Sequence, residues 1–262
     1  MPELPEVEHA AALARQIAVG RTITSVAVRH RSQRRGLPAR DARSLAGERV
    51  LAVERRGKAQ RFVLASGRVL LVHFRMTGDW TTPGPGPLSR AVRAVIAFDD
   101  GARLALHDPR ALSVISLCAN GAADDSMGPD ATDPAVNGRY LAGALASRRI
   151  PIKVALLDQS VVAGIGNIYA AEALWRARID PRTPANRLTR ERLGVLARSI
   201  RATMEAALKR HARYYADGSE PSDEGRFAVY DREGLRCRRC GGTIRRMTQA
   251  ARSTYFCPKC QK

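Results

Sequence analysis

The spacing of four cysteines constrains this chain more than any other feature. Cys237, Cys240, Cys257 and Cys260 form the pattern C-x2-C-x16-C-x2-C. That spacing is typical of four-thiolate zinc sites, in which two cysteine pairs close a tetrahedron around one metal ion. With all four positions filled by protein, the predicted Zn²⁺ is structural. Disulfides are the alternative, but no secretory signal supports them.

The charge of the chain points to its partner. The formal net charge is +19 and the pI is near 10.9. A broadly basic surface implies a polyanionic partner, nucleic acid first, with ribosome or acidic membrane binding as alternatives. Only five of the 44 basic residues are lysines, so a lysine such as Lys58 draws attention.

Length and hydropathy indicate a folded protein of one or two domains. The 262 residues are 45% hydrophobic, which is enough to bury a core. No segment near the start reads as a signal peptide, and no apolar run approaches membrane-spanning length. We therefore expect a cytoplasmic protein that is not secreted.

The first half reads as one helix followed by β structure. Apolar residues recur at helical spacing from Val7 to Ala18, and Gly20 can end that helix. The pattern then changes to short β-branched or alternating runs, with a tight turn expected at Ser66-Gly67. These predict an α+β fold with an antiparallel two-layer sandwich. The predicted strands are Ile23–Val28, Val50–Glu54, Gln60–Ala65, Val69–Phe74, Ala94–Phe98, Arg103–Leu106 and Val114–Leu117.

The second half reads as helical. Residues 120–134 are rich in Gly, Asp and Pro and predict an interdomain linker, and residues 217–225 predict a mobile loop. We place a first domain at 1–128, a helical domain at 129–236 and the zinc hairpin at 237–262. The predicted helices are Tyr140–Ala146, Ile152–Gln159, Ile168–Trp175 and a long one through Leu193 and Leu208.

The opening residues can support covalent chemistry. Once Met1 is removed, Pro2 offers a secondary amine with a pKa of roughly 7.7–8.0, against about 10.4 for a lysine. A secondary amine that attacks a sugar carbon becomes a cationic iminium, which acidifies the neighbouring C–H and drives elimination. Glu3 could carry the protons. An ordinary acidic helix start is the alternative.

Several later residues are candidates with equally plain alternatives. Lys58, at the start of a strand, could bind phosphate or lie at a solvated edge. His73 and Met76 follow a strand and could reach a groove or pack internally. Asp108-Pro109-Arg110 forms a turn that could extend one arginine. Asn167, after two glycines, could cap a helix whose start suits a phosphate.

Together these segments closely resemble the formamidopyrimidine-DNA glycosylase and endonuclease VIII family of base-excision repair enzymes. The resemblance spans essentially the whole chain, in family order. It rests on Pro2–Glu8, the Lys58 strand, His73–Gly78, Asp108–Arg110, Gly164–Glu172 and the cysteine hairpin.

The resemblance implies a fold and a reaction. The helical domain would be a helix-two-turn-helix module. Met1 would be removed, and Pro2 would attack C1′ of a damaged nucleotide flipped out of the duplex. Glu3 would act as acid and base, Lys58 would bind phosphate and assist elimination, and Arg252 would assist the second elimination. The products would be a released base and a strand cut by β,δ-elimination.

The resemblance also implies DNA contacts. His73 and Asn167 match phosphate ligands, while Met76 and Arg110 match residues that fill the vacated base stack. Glu6 and Lys153 are further expected contacts, and Leu112 is at best an aliphatic substitute for an aromatic wedge. The expected partner is damaged double-stranded DNA, bound by a monomer associated with the nucleoid, with no nucleotide cofactor.

Three departures bear on which base is removed. The turn reads Asp-Pro-Arg-Ala-Leu-Ser, without the usual aromatic residue, and Arg90 and Arg93 stand near the place of the usual histidines. The segment 225–237 is short, as in endonuclease VIII. We favour oxidised purines such as 8-oxoguanine and formamidopyrimidines. Excision of oxidised pyrimidines and a catalytically weak damaged-DNA binding protein are the alternatives.

Overall fold

The computed structural model describes residues 1–84, 86–119, 126–214 and 227–262, with only the backbone for 211–214. The chain divides into two compact units, residues 1–125 and 126–262. The start of the predicted linker at 120–125 and the whole predicted loop at 217–225 lie outside the described residues. The three domain boundaries stay a prediction.

Helix α1 (Leu4–Ala18) opens the first unit, as the helical spacing predicts. Glu3 is its N-cap residue, and Glu3 and Glu6 form a capping box that satisfies free N–H groups of the first turn. The helix buries a stripe of mostly small side chains, Val7, Ala10, Ala14 and Ala18, against the sandwich core. A short second helix, α2, spans Ala39–Arg43.

Two four-stranded antiparallel sheets form the rest of this unit. Their strands are β1 (Ile23–Val28), β2 (Val50–Arg56), β3 (Ala59–Leu64), β4 (Val69–His73), β5 (Asp79–Thr81), β6 (Val92–Phe98), β7 (Arg103–His107) and β8 (Val114–Cys118). One sheet has the order β1-β6-β7-β5 and the other β2-β3-β4-β8. The predicted α+β sandwich is therefore confirmed.

The core of the sandwich lies between the two sheets. Ile96 and Leu104 from one sheet and Phe62 and Leu70 from the other belong to one buried cluster. Trp80 fills its end, donating its indole N–H to Gln60 Oε1 at 2.8 Å. A buried indole N–H needs such a partner, and this bond joins the short strand β5 to β3 of the other sheet.

The second unit begins with helices. They are α3 (Gly138–Leu145), α4 (Ile152–Leu156), α5 (Asn167–Ala177) and α6 (Arg190–Tyr214). Helix α4 ends three residues before its predicted end, because the Asp158 carboxylate accepts the Ser160 N–H at 2.9 Å and starts a turn. No helix in the described part of the chain is long and apolar enough to cross a membrane.

The second unit ends in a zinc-ribbon hairpin of β9 (Arg245–Gln249) and β10 (Arg252–Phe256). Its antiparallel register pairs Gln249 with Arg252 across a two-residue turn. Ala250 and Ala251 in that turn have φ values of 46° and 57°. Two positive φ values are what a tight hairpin turn with the twist of its strands requires.

Candidate functional site

The first group of candidate residues lies at the start of α1. Glu3 is 1% exposed, and its backbone N–H donates to Glu6 Oε2 at 2.9 Å. The capping box also engages the Glu3 carboxylate, which therefore sits at the electropositive end of the helix. Pro2 directly precedes it and is partly exposed. The amine expected at Pro2 would thus lie one residue from a buried, oriented carboxylate.

Lys58 lies in the two-residue turn between β2 and β3. Arg56 pairs with Ala59, so the turn consists of Gly57 and Lys58. Gly57 has a φ of +55°, and glycine adopts that value without steric cost. Lys58 is 9% exposed, so its ammonium is largely withdrawn from bulk water. The Lys58 ammonium is therefore a compact positive charge whose position is restricted by the turn.

His73 lies beside Lys58. Ala59, the residue after Lys58, pairs with His73 across β3 and β4. Burial and the nearby charges of Arg75 and Lys58 lower the pKa of His73 to about 4. The ring is therefore neutral near pH 7, and its Nδ1 accepts the Arg75 N–H at 3.0 Å. The remaining proton resides on Nε2, which makes that atom a donor suited to a phosphate oxygen.

Asp108 joins the two turns that carry the stack-filling candidates. Its buried carboxylate accepts the Thr77 hydroxyl at 2.5 Å and the Ser113 N–H at 2.7 Å. Burial opposes ionisation, but these hydrogen bonds hold the pKa of Asp108 below its usual value. Met76 and Leu112 lie on the two turns so joined, and they remain 40% and 43% exposed.

Arg110 and Arg93 differ in their surroundings. Arg110 is exposed on the same turn as Leu112. Arg93 is 9% exposed and donates to the carbonyls of Asp108 at 2.6 Å and Pro109 at 2.9 Å. Arg93 therefore supports the turn from inside, and its guanidinium is already occupied by protein acceptors.

In the second unit, Lys153 and Asn167 meet the zinc hairpin. Lys153 is 1% exposed, and its Nζ donates to Asn167 Oδ1 at 2.5 Å, Thr254 Oγ1 at 2.7 Å and the Ser253 carbonyl at 3.1 Å. Asn167 Nδ2 donates to the same carbonyl at 3.0 Å. Arg252 is exposed at the start of that strand. The buried ammonium thus holds the strand that presents Arg252.

The predicted capping role of Asn167 is wrong. Gly166 occupies the N-cap of α5, and Asn167 is the first helical residue. Its side chain turns to Lys153 and Ser253 instead, because a buried ammonium requires an acceptor.

The four cysteines converge as their spacing predicts. Their sulfur atoms all lie within 4.8 Å of one another, with Cys237–Cys260 at 3.9 Å and Cys240–Cys257 at 3.6 Å. A tetrahedron with Zn–S bonds of about 2.3 Å has edges of about 3.8 Å, so the donor set fits one structural Zn²⁺. Trp175 adds an indole N–H that donates to Cys237 Sγ at 3.4 Å.

The supporting roles of two residues, Glu172 and Glu8, could not be predicted from the sequence alone. The Glu172 carboxylate accepts the backbone N–H groups of Ala228, Val229 and Tyr230 at 2.8–2.9 Å, holding the segment before the zinc knuckle. The Glu8 carboxylate binds Arg55 of β2 at 2.6 Å. Glu8 and Glu172 fall within motifs singled out above, but their partners are distant in sequence.

Three family models match consecutive parts of the chain. Residues 1–115 match the formamidopyrimidine-DNA glycosylase N-terminal domain, and residues 127–217 match the H2TH domain of the same enzyme. Residues 234–262 match a zinc finger found in FPG and IleRS.

Relatives that match over nearly the whole of both chains point to the same family as these models. The formamidopyrimidine-DNA glycosylase of Chloroflexus aurantiacus is 40% identical over 100% of this chain and 98% of its own, and that of Novosphingobium aromaticivorans is 36% identical over 100% of both. The MutM (FPG) crystal structure from Thermus thermophilus matches with a TM-score of 0.86 and 35% identity, over 99% of this chain and 98% of its own. The Lactococcus lactis enzyme bound to AP-site DNA matches with a TM-score of 0.89 and 28% identity, over 99% of both chains. The chain therefore belongs to the formamidopyrimidine-DNA glycosylase family of DNA repair enzymes.

Proposed function

We propose that this DNA glycosylase excises oxidised purines and then nicks the strand as an abasic-site lyase. The observation that carries the proposal is the start of α1. There Glu3, nearly fully buried and held by the capping box, directly follows the residue whose amine would react. A nucleophile beside an oriented proton carrier is the arrangement that covalent catalysis through an amine requires.

The proposed reaction begins when Met1 is removed. The Pro2 nitrogen attacks C1′ of the flipped nucleotide as the C1′–N bond to the base breaks. The C1′–O4′ bond of the sugar ring then opens to give the iminium, and Glu3 carries the protons exchanged with the base and with O4′. The resulting iminium draws electrons from C2′, so that loss of a C2′ proton expels the 3′ phosphate. Loss of the C4′ proton then drives a second elimination that expels the 5′ phosphate. Lys58 and the Nε2–H of His73 are assigned to backbone phosphates near the lesion, and Lys58 also to assisting the elimination.

The second unit is assigned to DNA binding. Arg252 binds a phosphate and assists the second elimination, and Asn167 binds phosphate in the same region. Because the Lys153 ammonium has three protein acceptors, we assign it to holding the Arg252 strand, so that its effect on DNA is indirect. Zn²⁺ held by Cys237, Cys240, Cys257 and Cys260 maintains the base of the hairpin.

The choice of oxidised purines rests on the resemblance of the opening segment and on what solved relatives bind. One such structure, a MutM protein matching with a TM-score of 0.90 and 29% identity over 100% of both chains, holds DNA with carbocyclic 8-oxoguanine. The short segment before Cys237 favours oxidised pyrimidines as the second candidate. The working partner is damaged double-stranded DNA, so we place the protein, as a monomer, at the nucleoid in the cytoplasm.

Duplexes that differ in one base test this proposal. We expect the zinc-loaded protein to release 8-oxoguanine and formamidopyrimidine faster than thymine glycol or dihydrouracil, and to nick each product strand. Glu3→Gln is the matched control, since the amide oxygen can still accept the Glu6 N–H. That variant should lose about 10²–10⁴-fold in base release. Faster release of the pyrimidines would overturn the substrate choice, and binding without any cleavage would leave the weak-binding alternative.

A further inference from the structure

We propose that Glu8 and Arg55 are positioning residues for abasic-site cleavage. Their ion pair fixes the turn that carries Lys58 against the helix that begins after Pro2. The inference rests on the proposed function, because it concerns the relative placement of the Pro2 amine and the Lys58 ammonium, the two groups assigned to the lyase reaction.

The contacts run from the helix to the turn without a gap. Glu8 lies in α1, and its Oε2 accepts Arg55 Nε at 2.6 Å. The same guanidinium donates through Nη1 to the carbonyl of Gly57 at 3.1 Å. Gly57 directly precedes Lys58. One arginine therefore joins the first helix to the peptide that sets the direction of Lys58.

The end of this connection that lies in α1 is held by further hydrogen bonds. Glu8 lies five residues after Glu3, about 7.5 Å along a hydrogen-bonded helix. Glu8 Oε1 also accepts Arg15 Nη1 at 2.7 Å, and Arg15 Nε donates to the Val53 carbonyl of β2 at 2.7 Å. A displacement of β2 would therefore be transmitted to the start of the helix.

Glu8 and Arg55 are both charged near pH 7. Burial disfavours the carboxylate, but the hydrogen bonds and charges of Arg15 and Arg55 hold the pKa of Glu8 below its ordinary value. The Arg55 side chain is only 11% exposed. A guanidinium can reach two acceptors at fixed angles, whereas a lysine ammonium is a point charge on a flexible stem.

A neighbouring ion pair provides the control. Glu54 and Arg61 belong to the same β2–β3 hairpin, with Arg61 Nη1 at 3.4 Å from Glu54 Oε2 and Glu54 53% exposed. Exposed pairs of this kind contribute little. Glu54→Gln should therefore leave cleavage unchanged, although it removes a carboxylate from the same hairpin.

The test is a double-mutant cycle on an abasic-site duplex, measured as the single-turnover rate of strand cleavage by full-length, zinc-loaded protein. We expect Arg55→Met to lower that rate about 10- to 100-fold with an unchanged Kd for DNA, as displacement of a catalytic group does. In a Lys58→Met background, the same substitution should change the residual rate by no more than about twofold. Arg55→Lys serves if Arg55→Met fails to fold, and should show the same pattern with a smaller loss.

Equal losses in both backgrounds would overturn the inference, because Arg55 would then act independently of Lys58. No loss in either background would overturn it as well. Both results leave the proposed function intact provided that the wild-type protein cleaves the duplex. A wild-type protein that does not cleave would instead reject the proposed function.

Discussion

Two regions of the first unit hold their candidate functional side chains in opposite ways. At the start of α1 and in the β2–β3 turn, Glu3 and Lys58 are 1% and 9% exposed. On the turns joined by Asp108, Met76 and Leu112 are 40% and 43% exposed. The roles proposed for Glu3 and Lys58, carrying protons and binding phosphate, need a fixed position and surroundings that set the charge. The role proposed for Met76 and Leu112, filling a vacated base stack, needs only an apolar shape within reach.

The position at which the family resemblance leads us to expect an aromatic wedge lies on the exposed turn. Leu112 occupies it and is 43% exposed, whereas Ser113 beside it is 1% exposed. The scaffold beneath that turn is fully engaged, because Asp108 and Arg93 satisfy its backbone from inside. A different side chain at position 112 can therefore be carried without disturbing the residues buried beneath it.

The largest effect expected from this comparison separates base removal from strand cleavage. Leu112→Ala should slow release of 8-oxoguanine about 10-fold, from the loss of roughly 1.5 kcal/mol of apolar contact with the stack. Cleavage of a duplex with a ready-made abasic site should stay within about twofold, since no base must be extruded. Single-turnover rates on the two duplexes measure this.

Leu51→Ala is the matched control, because Leu51 is also an exposed leucine of the first unit, at 54%. It should change neither rate. An equal loss on both duplexes by Leu112→Ala would break the distinction between the two regions.

A smaller effect concerns acid stability, because burial strongly shifts the pKa of His73 beside Lys58 and of Asp79 near the Met76 turn. Burial, with Arg75 and Lys58, lowers the pKa of His73 to about 4, whereas burial raises the pKa of Asp79 to about 6 despite the Trp80 N–H. Between pH 6.5 and 4 the unfolded histidine binds a proton that the folded one refuses, so its contribution falls as pH falls. Between pH 6 and 4 the folded aspartate binds a proton that the unfolded one has lost, so its contribution rises as pH falls.

Urea unfolding of the wild type, His73→Asn and Asp79→Asn at several pH values checks these signs. Relative to His73→Asn, the wild type should lose at most about 3 kcal/mol of unfolding free energy from pH 6.5 to 4. Relative to Asp79→Asn, the wild type should gain a similar amount of unfolding free energy from pH 6 to 4. The zinc site is common to all three proteins and cancels in the differences. If both differences in unfolding free energy changed with pH in the same direction, the assigned pKa shifts would be contradicted.

Much of the fold was accessible from residue patterns. The cysteine spacing, the helical run from Val7 to Ala18 and the alternating strands each depend on neighbours in sequence, and each is confirmed. Strand β5 has only three residues, Asp79–Thr81, too few for alternation to be visible. It pairs with β7, and its Trp80 bonds Gln60 of the other sheet.

The supporting contacts of the site were not accessible in this way. Glu8 meets Arg55 across 47 residues, Thr77 meets Asp108 across 31, and Lys153 meets Thr254 across 101. No local pattern distinguishes an exposed lysine from a buried one that braces a hairpin. The candidate residues could thus be selected from the sequence, while the contacts that hold them required the fold.

The identity of the reacting amine tests the central claim most directly. The wild-type protein should be mixed with an abasic-site duplex, reduced with borohydride and digested with trypsin, and the DNA-linked peptide identified by mass spectrometry. The account predicts that the adduct lies on the peptide of residues 2–15, with Met1 absent and the sugar remnant on the Pro2 nitrogen. An adduct on the peptide of residues 57–61, which contains Lys58, or no adduct at all, would contradict it.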